Sequence, residues 1–357
     1  MSVRATILYV ALLLVTPVGA REQTDVREKT DVIVMNNGDR VTGEIKGLDH
    51  GSLQVSLDYA IGTLSVDWSK VIRLESKQLF VVKTQDGSVY TGSVKMTETV
   101  SGRPMQIQEV NAPKKELAIE GSRVVNMTEL SESFWHRLSG GVNTGVIYSK
   151  GNQSTQLSLG SDAEYVRERW SGSASFNTNL SASSGATPYT RNQLKLASLR
   201  LFPWNNYFYQ FSGGFLQSTE QGIGLQTLLG AGVGRYLKNT NRAQISLAGG
   251  LAWQVTHYEQ STTPIGTQNV AAGLIEANVN LFKFDKTNLS ATASFLPGLS
   301  EPGRVFFNTN AAYYIKLPAN LKWNLSFYGS WDSRPPGSLK GSDYGSSSGL
   351  SWTFGLK

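Results

Sequence analysis

The sequence predicts an all-β protein, in which two small Sm-like β-barrel repeats precede an antiparallel transmembrane β-barrel of about twelve strands. From Phe134 onward, stretches of about ten residues alternate polar and apolar side chains between turn residues, as transmembrane barrel strands do. Before that point, a pattern of short strands occurs twice. We therefore divide the chain into a signal peptide (1–20), repeat 1 (31–76), repeat 2 (78–131) and a barrel (135–357).

The N-terminus has the features of a secretory signal peptide. Arg4 precedes an apolar run that extends to Val18, and Val18-Gly19-Ala20 is a small-residue cleavage pattern. The alternative is a membrane anchor, but a run of about twelve residues is too short for a helix that needs roughly twenty. We expect cleavage after Ala20, with Arg21 as the first residue of the exported chain.

The composition excludes several classes of function. The chain has 36 Gly and no Cys among its 357 residues, which removes disulfides, cysteine metal sites and cysteine nucleophiles. The net charge is +6, and the Lys and Arg residues are scattered rather than clustered. A nucleic-acid partner is therefore not expected. No apolar run after Ala20 is long enough for a membrane helix, so strands must supply any membrane-spanning segment.

Two matching segments define the predicted repeats. "FVVKTQDGSVYTGSV" in the second copy matches "DVIVMNNGDRVTGEIKG" in the first, and Gly87 follows Gly38 by 49 residues. The Asn-Gly and Asp-Gly pairs that end at these glycines favour two-residue hairpin turns. Each copy is predicted to form a small barrel of about five strands. These copies resemble the Sm-like class of small barrels, and a resemblance at the level of the fold implies no activity.

The barrel strands are predicted from parity, that is, from the rule that residues at odd and even positions of a strand lie on opposite faces. Leu321, Trp323 and Leu325 share one face of a strand, whereas Lys322 and Asn324 share the other. Because the predicted number is even, both barrel ends are expected on the periplasmic side, beside the small domain. The predicted strand centres are Val142, Leu159, Ala174, Ala197, Phe211, Ala231, Leu251, Ala277, Ala291, Ala311, Leu325 and Leu350.

Two further details follow from the strand assignment. Leu194 and Leu196 are out of phase with Leu199 and Leu201, which predicts a bulge in that strand or a different register. Aromatic residues beside the short periplasmic turns are predicted to form an interfacial girdle: Trp170, Trp204, Tyr207, Tyr236, Phe284 and Trp323.

The C-terminal segment "GSDYGSSSGLSWTFGLK" carries a family resemblance. Its Asp343-Tyr344 pair opens a final strand that ends in Trp352 and Phe354. This pattern resembles the closing hairpin of the domain of unknown function 481 family, described as salt-induced outer-membrane proteins, over residues 135–357. The resemblance implies a bacterial outer-membrane barrel with no established activity. Barrels also end on an aromatic that the barrel-assembly machinery reads, whereas three residues follow Phe354 here.

Catalytic and metal-binding motifs are absent from the sequence. The histidines do not stand at metal-ligand spacing from one another, so neither a metal nor a cofactor is expected. The remote enzyme hypothesis is an outer-membrane phospholipase that uses His257 and Asn269 on the lipid-facing wall. No outward serine is evident beside His257. We therefore predict that the protein is not an enzyme.

The remaining predictions concern the barrel interior and its partners. The favoured hypothesis is an anchoring or structural protein of the envelope, with residues 31–131 holding a periplasmic protein or peptidoglycan. The alternative is a narrow pore for ions or small solutes. In both cases the barrel contacts outer-membrane lipid, with the N-terminal domain and both barrel termini in the periplasm. The predicted lumen-facing charges are Asp162, Glu164, Lys195, Glu276, Lys316 and Lys322.

Overall fold

The structure of the protein is a computed structural model. This structure describes residues 31–49, 51–60, 62–99, 102–109, 116–130, 134, 137–149, 154–182, 188–259, 266–283, 287–317 and 321–354. The predicted signal peptide and its Ala20-Arg21 cleavage site lie outside these residues. Within the described ranges, no helix has the length and apolarity needed to cross a membrane.

The described residues before 131 form one nine-stranded antiparallel sheet. Two short 3-10 helices, Trp68–Lys70 and Gly121–Arg123, interrupt it. The strands are β1 (Asp31–Met35), β2 (Arg40–Asp49), β3 (Ser52–Ser56), β4 (Thr63–Asp67), β5 (Val71–Thr84), β6 (Val89–Met96), β7 (Pro104–Glu109), β8 (Glu116–Glu120) and β9 (Val124–Glu129).

Four of these strands close into a small barrel. β1 pairs with β2 and β5, and β9 also pairs with β2 and β5, so the order β1-β2-β9-β5 returns to β1. The predicted boundary between residues 76 and 78 falls inside β5, where its register against β6 shifts between Ser76 and Leu79. The two predicted units therefore share β5 and a single closed ring.

The two halves of this domain pair their strands in the same way. Val34 stands opposite Arg73 in one half, and Lys83 stands opposite Asn126 in the other. Both pairings shift register at the next residue. The hairpin turns also match, with φ of +90° at Gly38 and +83° at Gly87, a conformation that glycine adopts without steric cost.

One apolar core fills the small barrel. Ile33, Leu48, Phe80 and Met127 come from its four ring strands and are fully buried. Trp68 is also buried, and its indole Nε1 donates a hydrogen bond of 2.8 Å to the Gly121 carbonyl. This bond links the two 3-10 helices, so the first and second halves are held together by both packing and a buried polar contact.

Twelve further strands form a closed antiparallel barrel. Each of the twelve predicted strand centres lies in a different strand. The strands are β10 (Leu138–Ser149), β11 (Ser154–Val166), β12 (Trp170–Ala182), β13 (Tyr189–Leu201), β14 (Tyr207–Ser218), β15 (Ile223–Thr240), β16 (Ala243–Tyr258), β17 (Thr267–Lys283), β18 (Thr287–Pro297), β19 (Val305–Lys316), β20 (Leu321–Asp332) and β21 (Ser342–Phe354).

The barrel wall is apolar outside and polar inside. On β16, Leu251 and Trp253 are 65% and 52% exposed on the outer face, whereas Gln254 and Thr256 are buried on the inner face. This distribution of polar and apolar side chains is the reverse of that in a soluble protein. It suits a barrel surrounded by lipid, because lipid covers apolar side chains without cost. The alternation that predicted the strands therefore also predicts which face each residue occupies.

Two details of the sequence interpretation are wrong. β13 pairs with both neighbours without a register shift, so it contains no bulge. Leu196 faces outward, and Leu199 faces the lumen near the periplasmic end. Tyr236 also faces the lumen, where its ring packs 5.1 Å from that of Phe208, so it does not belong to the outer aromatic girdle. Phe284 lies outside the described residues.

A core truncation tests the small domain. We expect Phe80→Ala to lower its free energy of unfolding by about 3–5 kcal/mol, because the change leaves a cavity at a fully buried ring position. Leu79→Ala is the matched control, since Leu79 is 38% exposed. Proteolysis across a urea series measures both variants. Equal loss of stability in the two would contradict the described core.

Candidate functional site

The barrel interior is the candidate site, and it brings together three of the six predicted lumen charges. Glu164, Lys195 and Glu276 line one cavity of about 630 Å³. Glu276 accepts hydrogen bonds from the amides of Gln210 at 3.2 Å and Asn278 at 3.0 Å. The rest of the inner wall of this cavity is mostly hydroxyl and amide groups from Ser, Thr, Asn and Gln.

The other three predicted charges lie elsewhere on the inner face of the barrel wall. The Asp162 carboxylate lies beside Gly141 on β10. Lys316 and Lys322 stand opposite each other on β19 and β20, and the Lys322 ammonium lies 5.8 Å from the centre of the Tyr314 ring. The six charges comprise three acids and three bases, so their formal charges sum to zero.

The strongest charge cluster was not predicted from the sequence. Arg191 and Asp343 form a buried ion pair at 2.5 Å across the lumen, 152 residues apart in the chain. Asp343 also accepts hydrogen bonds from Ser218 Oγ at 2.7 Å and from the Tyr189 hydroxyl at 2.9 Å. The Arg191 guanidinium lies 4.6 Å from the centre of the Tyr328 ring. We refer to these five residues as the Arg191 cluster.

A second buried cluster occupies the same end of the barrel. Arg304 makes two bonds to the Asp332 carboxylate, at 3.0 Å and 2.6 Å. Its guanidinium also donates to Glu301 at 2.7 Å and Gln268 at 2.9 Å. Planar bidentate pairs of this kind fix geometry as well as charge. The first cluster thus links β13 to β21 across the lumen, and the second links the β18–β19 loop to β17 and β20. Both lie at the end of the barrel that carries the longer loops.

Four cavities share wall residues from one end of the barrel to the other. The vestibule at the end of the barrel that carries the longer loops, of about 650 Å³, shares Tyr328 with a cavity of about 180 Å³. That cavity shares Gln193 with the 630 Å³ cavity. The last shares Glu164 and Tyr236 with a cavity of about 210 Å³ at the opposite mouth, beside the short turns. The polar interior is therefore a series of adjoining cavities.

The small N-terminal domain lies against the mouth of the barrel beside the short turns. Asn206 and Asn241, in two of these turns, donate bonds of 2.6 Å to the carbonyls of Gln85 and Val124. A Cβ atom on Gly87 would lie 2.7 Å from Asn206 Oδ1, whereas one on Gly38 would meet nothing within 4 Å. The hairpin turn of the second half therefore contacts the barrel, and that of the first half is free of it.

Two charged groups of the small domain, Asp49 and Lys83, lie at this mouth. Lys83 lines the 210 Å³ cavity together with Glu164 and Arg169 of the barrel. Its Nζ donates a long bond of 3.4 Å to the Arg167 carbonyl. Burial lowers the pKa of Lys83, although the nearby Glu164 and Asp49 carboxylates act in the opposite direction. The mouth is therefore partly shielded from water.

The closing-strand residues occupy opposite faces of β21. Asp343 is buried in the lumen, whereas Tyr344 is 74% exposed and Trp352 50% exposed on the outer face. The Trp352 and Phe354 rings are 6.0 Å apart. The Asp-Tyr pair thus combines an inward ion-pair partner with an outward aromatic residue.

The residues of the phospholipase hypothesis lie on the neighbouring strands β16 and β17. His257 stands opposite Thr267, and Asn269 stands opposite Val255. The hydroxyl at the imidazole is that of Thr267, 2.6 Å from Nδ1. Among the described residues, no three side chains of His, Asp or Glu come together as a metal site.

The barrel sequence matches one family model. The model describes a protein of unknown function, DUF481, and it matches residues 142–354, which is more than half of the chain. The chain belongs to the DUF481 family. The resemblance seen in the C-terminal segment is thereby confirmed, and the match covers almost the whole of the barrel. No curated protein matches the sequence.

Solved barrels of several kinds resemble the fold at low identity. The translocator domain of autotransporter NalP from Neisseria meningitidis is 14% identical, with 61% of this chain and 87% of that chain covered and a TM-score of 0.32. A porin is 9% identical (61% and 99% covered, TM-score 0.28). A bacterial polysaccharide outer membrane secretin is 10% identical (62% and 98% covered, TM-score 0.31).

Neutralising one partner tests the Arg191 cluster. We expect Asp343→Asn to lower the free energy of unfolding of the barrel by about 3–5 kcal/mol, because it leaves the Arg191 charge buried without its counter-ion. The Arg191→Gln/Asp343→Asn double variant should recover part of that loss. Lys340→Gln is the control: it breaks an exposed ion pair to Glu220, worth less than about 1 kcal/mol. The temperature at which the folded gel band disappears reports each change, and equal effects of the single variants would refute the assignment.

Proposed function

We propose that the protein is a bacterial outer-membrane barrel that provides a narrow pathway for small, uncharged polar solutes. The observation that supports this most directly is the series of four cavities that share wall residues along the lumen. Hydroxyl and amide side chains dominate their inner lining, and such groups replace the hydrogen bonds that a solute loses with its water.

The charge distribution favours an uncharged solute. The two buried ion pairs neutralise Arg191 and Arg304, and the six predicted lumen charges balance one another in sign. A strongly ion-selective pore would instead present a ring of like charges. We place the narrow point of this pathway between the vestibule and the 180 Å³ cavity, because Tyr328 lines both.

The orientation and biogenesis belong to this proposal. The N-terminal domain and both barrel termini lie in the periplasm, since an even strand number returns the chain to the side where it began. Export by the signal peptide and insertion by the barrel-assembly machinery precede this state. The small domain arose by duplication, which the matched strand pairings and turns of its two halves support.

An anchoring role is the second candidate. Its support is the contact between the small domain and the periplasmic turns, which leaves the domain at a fixed place below the membrane. In that role residues 31–131 would hold a periplasmic protein or peptidoglycan, and transport would be incidental. Catalysis is not part of either proposal, because the imidazole of His257 meets Thr267 rather than an activated serine.

Conductance in planar bilayers tests the pathway. We expect discrete openings of the full chain, and a larger unit conductance for Tyr328→Ala, because truncating this ring widens the narrow point. Tyr313→Ala removes an outward tyrosine of β19 from the outer face and should leave the conductance unchanged. Heat-modifiable gel mobility must show that each variant is folded. Folded but silent protein would refute the pore and leave the anchoring role.

A pair of glycine variants tests the position of the small domain. Gly87→Ala and Gly38→Ala impose the same strain of about 1 kcal/mol at a positive φ. Only Gly87 lies against Asn206 of the barrel. We therefore expect Gly87→Ala alone to raise the conductance toward that of a chain lacking residues 21–130. Equal behaviour of the two variants would show that this turn does not restrict the mouth.

A further inference from the structure

An exposed arginine lies on the lipid-facing surface of the barrel near its short turns. Arg200 of β13 is exposed and has the same parity as the outward-facing Leu196. It stands opposite Trp170 of β12 and opposite Tyr209 of β14, and residues opposite each other in a sheet share a face. The strand spacing puts the backbones of these two aromatic residues about 10 Å apart, with Arg200 between them. Arg200 therefore lies level with the aromatic girdle, where apolar wall meets lipid headgroups.

The side chains around Arg200 leave its guanidinium uncovered. Trp170 donates its indole N–H to Ser198 Oγ at 2.7 Å, and a Cβ atom on Gly172 would lie 3.2 Å from the same ring. Ser198 and Gly172 stand opposite each other, farther from the turns than the Trp170–Arg200 pair. The indole thus packs on the hydrocarbon side of Arg200. Within the described ranges, the Arg200 guanidinium makes neither a hydrogen bond nor an ion pair.

A second arginine with open donors lies two strands away. Arg235 of β15 is exposed and stands opposite Tyr207, and its guanidinium lies 5.2 Å from the centre of that ring. Its Nε donates to the Asn205 carbonyl at 3.2 Å. The two Nη groups of Arg235 have no acceptor in the part of the chain that the structure describes. Because Tyr207 and Tyr209 are two residues apart on β14, the two arginines flank the same stretch of that strand.

The charges around this surface are mainly positive. Arg167, in the turn before β12, donates from Nε to the Tyr165 hydroxyl at 3.2 Å, and the Tyr165 ring lies 5.9 Å from that of Trp170. Glu168 is the acid of the same turn, and among the described residues it forms no ion pair. A headgroup with its own ammonium would add a positive charge to three arginines and one glutamate. Charge complementarity therefore favours a headgroup with a net negative charge.

The backbone holds this surface in place. The Leu201 N–H donates to the Arg169 carbonyl at 2.8 Å, and the Phe202 N–H donates to the Tyr207 carbonyl at 2.9 Å. These bonds tie the end of β13, which carries Arg200, to the turns on both sides. A guanidinium matches the geometry of a phosphate, to which it can donate two parallel bonds. The fixed backbone means that a phosphate needs to order only the arginine side chains.

We propose that Arg200 and Arg235 bind the phosphate of an anionic glycerophospholipid on the lipid-facing surface of the barrel. The rings of Trp170, Tyr207 and Tyr209 pack against its glycerol and the nearby ends of its acyl chains. The assignment of this site to the periplasmic leaflet rests on the orientation proposed above, whereas lipid binding does not depend on conduction through the lumen. The bound lipid spans β12 to β15, at the end of the barrel where the small domain is attached.

Native mass spectrometry of the full chain tests the site. The detergent-solubilised protein receives equal amounts of phosphatidylglycerol, which is anionic, and phosphatidylcholine, which is zwitterionic. We expect phosphatidylglycerol to predominate in the one-lipid complex. Arg200→Gln should lower the ratio of the two lipids about fivefold, the effect of one basic residue near a lipid surface. Arg334→Gln is the matched control, because Arg334 is an exposed arginine at the opposite end of the barrel.

Three outcomes would overturn the proposal. The first is equal retention of the two lipids by the natural chain, and the second is an equal fall in Arg200→Gln and Arg334→Gln. The third is release of the bound phosphatidylglycerol by inorganic phosphate, which would assign the arginines to a soluble anion. Heat-modifiable gel mobility must show that each variant is folded. A chain that retains phosphatidylglycerol but is silent in planar bilayers would support this site while refuting the pore.

Discussion

The pairing of backbone hydrogen bonds around a closed ring is the constraint on which the rest of the structure depends. In hydrocarbon every unpaired N–H and C=O group is costly, so a sheet can cross a membrane only if its first strand meets its last. The chain meets this requirement with twelve strands, and closure depends on five registered residues at Gly140–Thr144 and Leu350–Phe354. Polar side chains then have one place to go, the interior, and the lumen follows from the same closure.

Ring closure also organises the small domain, with the opposite distribution of polarity. There the four strands enclose Leu48, Phe80 and Met127, and water covers the outside. The two rings meet at the short turns of the barrel, where Asn206 and Asn241 supply side-chain amides to carbonyls of the small domain.

Much of the barrel could be predicted from the sequence because parity is a local property. All twelve strand centres and the inward parity of Glu164, Lys195 and Glu276 follow from alternation alone. Alternation also puts Tyr236 on the inner face of β15, because it is out of phase with the outward-facing Val233. The girdle assignment of Tyr236 failed because it used only the distance from a turn.

What could not be predicted depends on residues distant in sequence. Alternation places Arg191 and Asp343 inside, but it says nothing about which of the other strands each one faces across the lumen. The shared ring of the small domain was missed for a related reason. Residues Ser76–Leu79 contain no Gly, Pro, Asn or Asp, so β5 continues through the predicted boundary and pairs on both sides of it.

The place of β9 has a consequence for the order in which the chain folds. β9 completes the small ring, and it ends at Glu129, before the first barrel strand begins at Leu138. Every strand of the small domain thus precedes every strand of the barrel, and N-terminal units fold first when a chain emerges vectorially. The small domain can be complete while the barrel is still an unfolded polypeptide. The periplasmic turns then form against a surface that already exists.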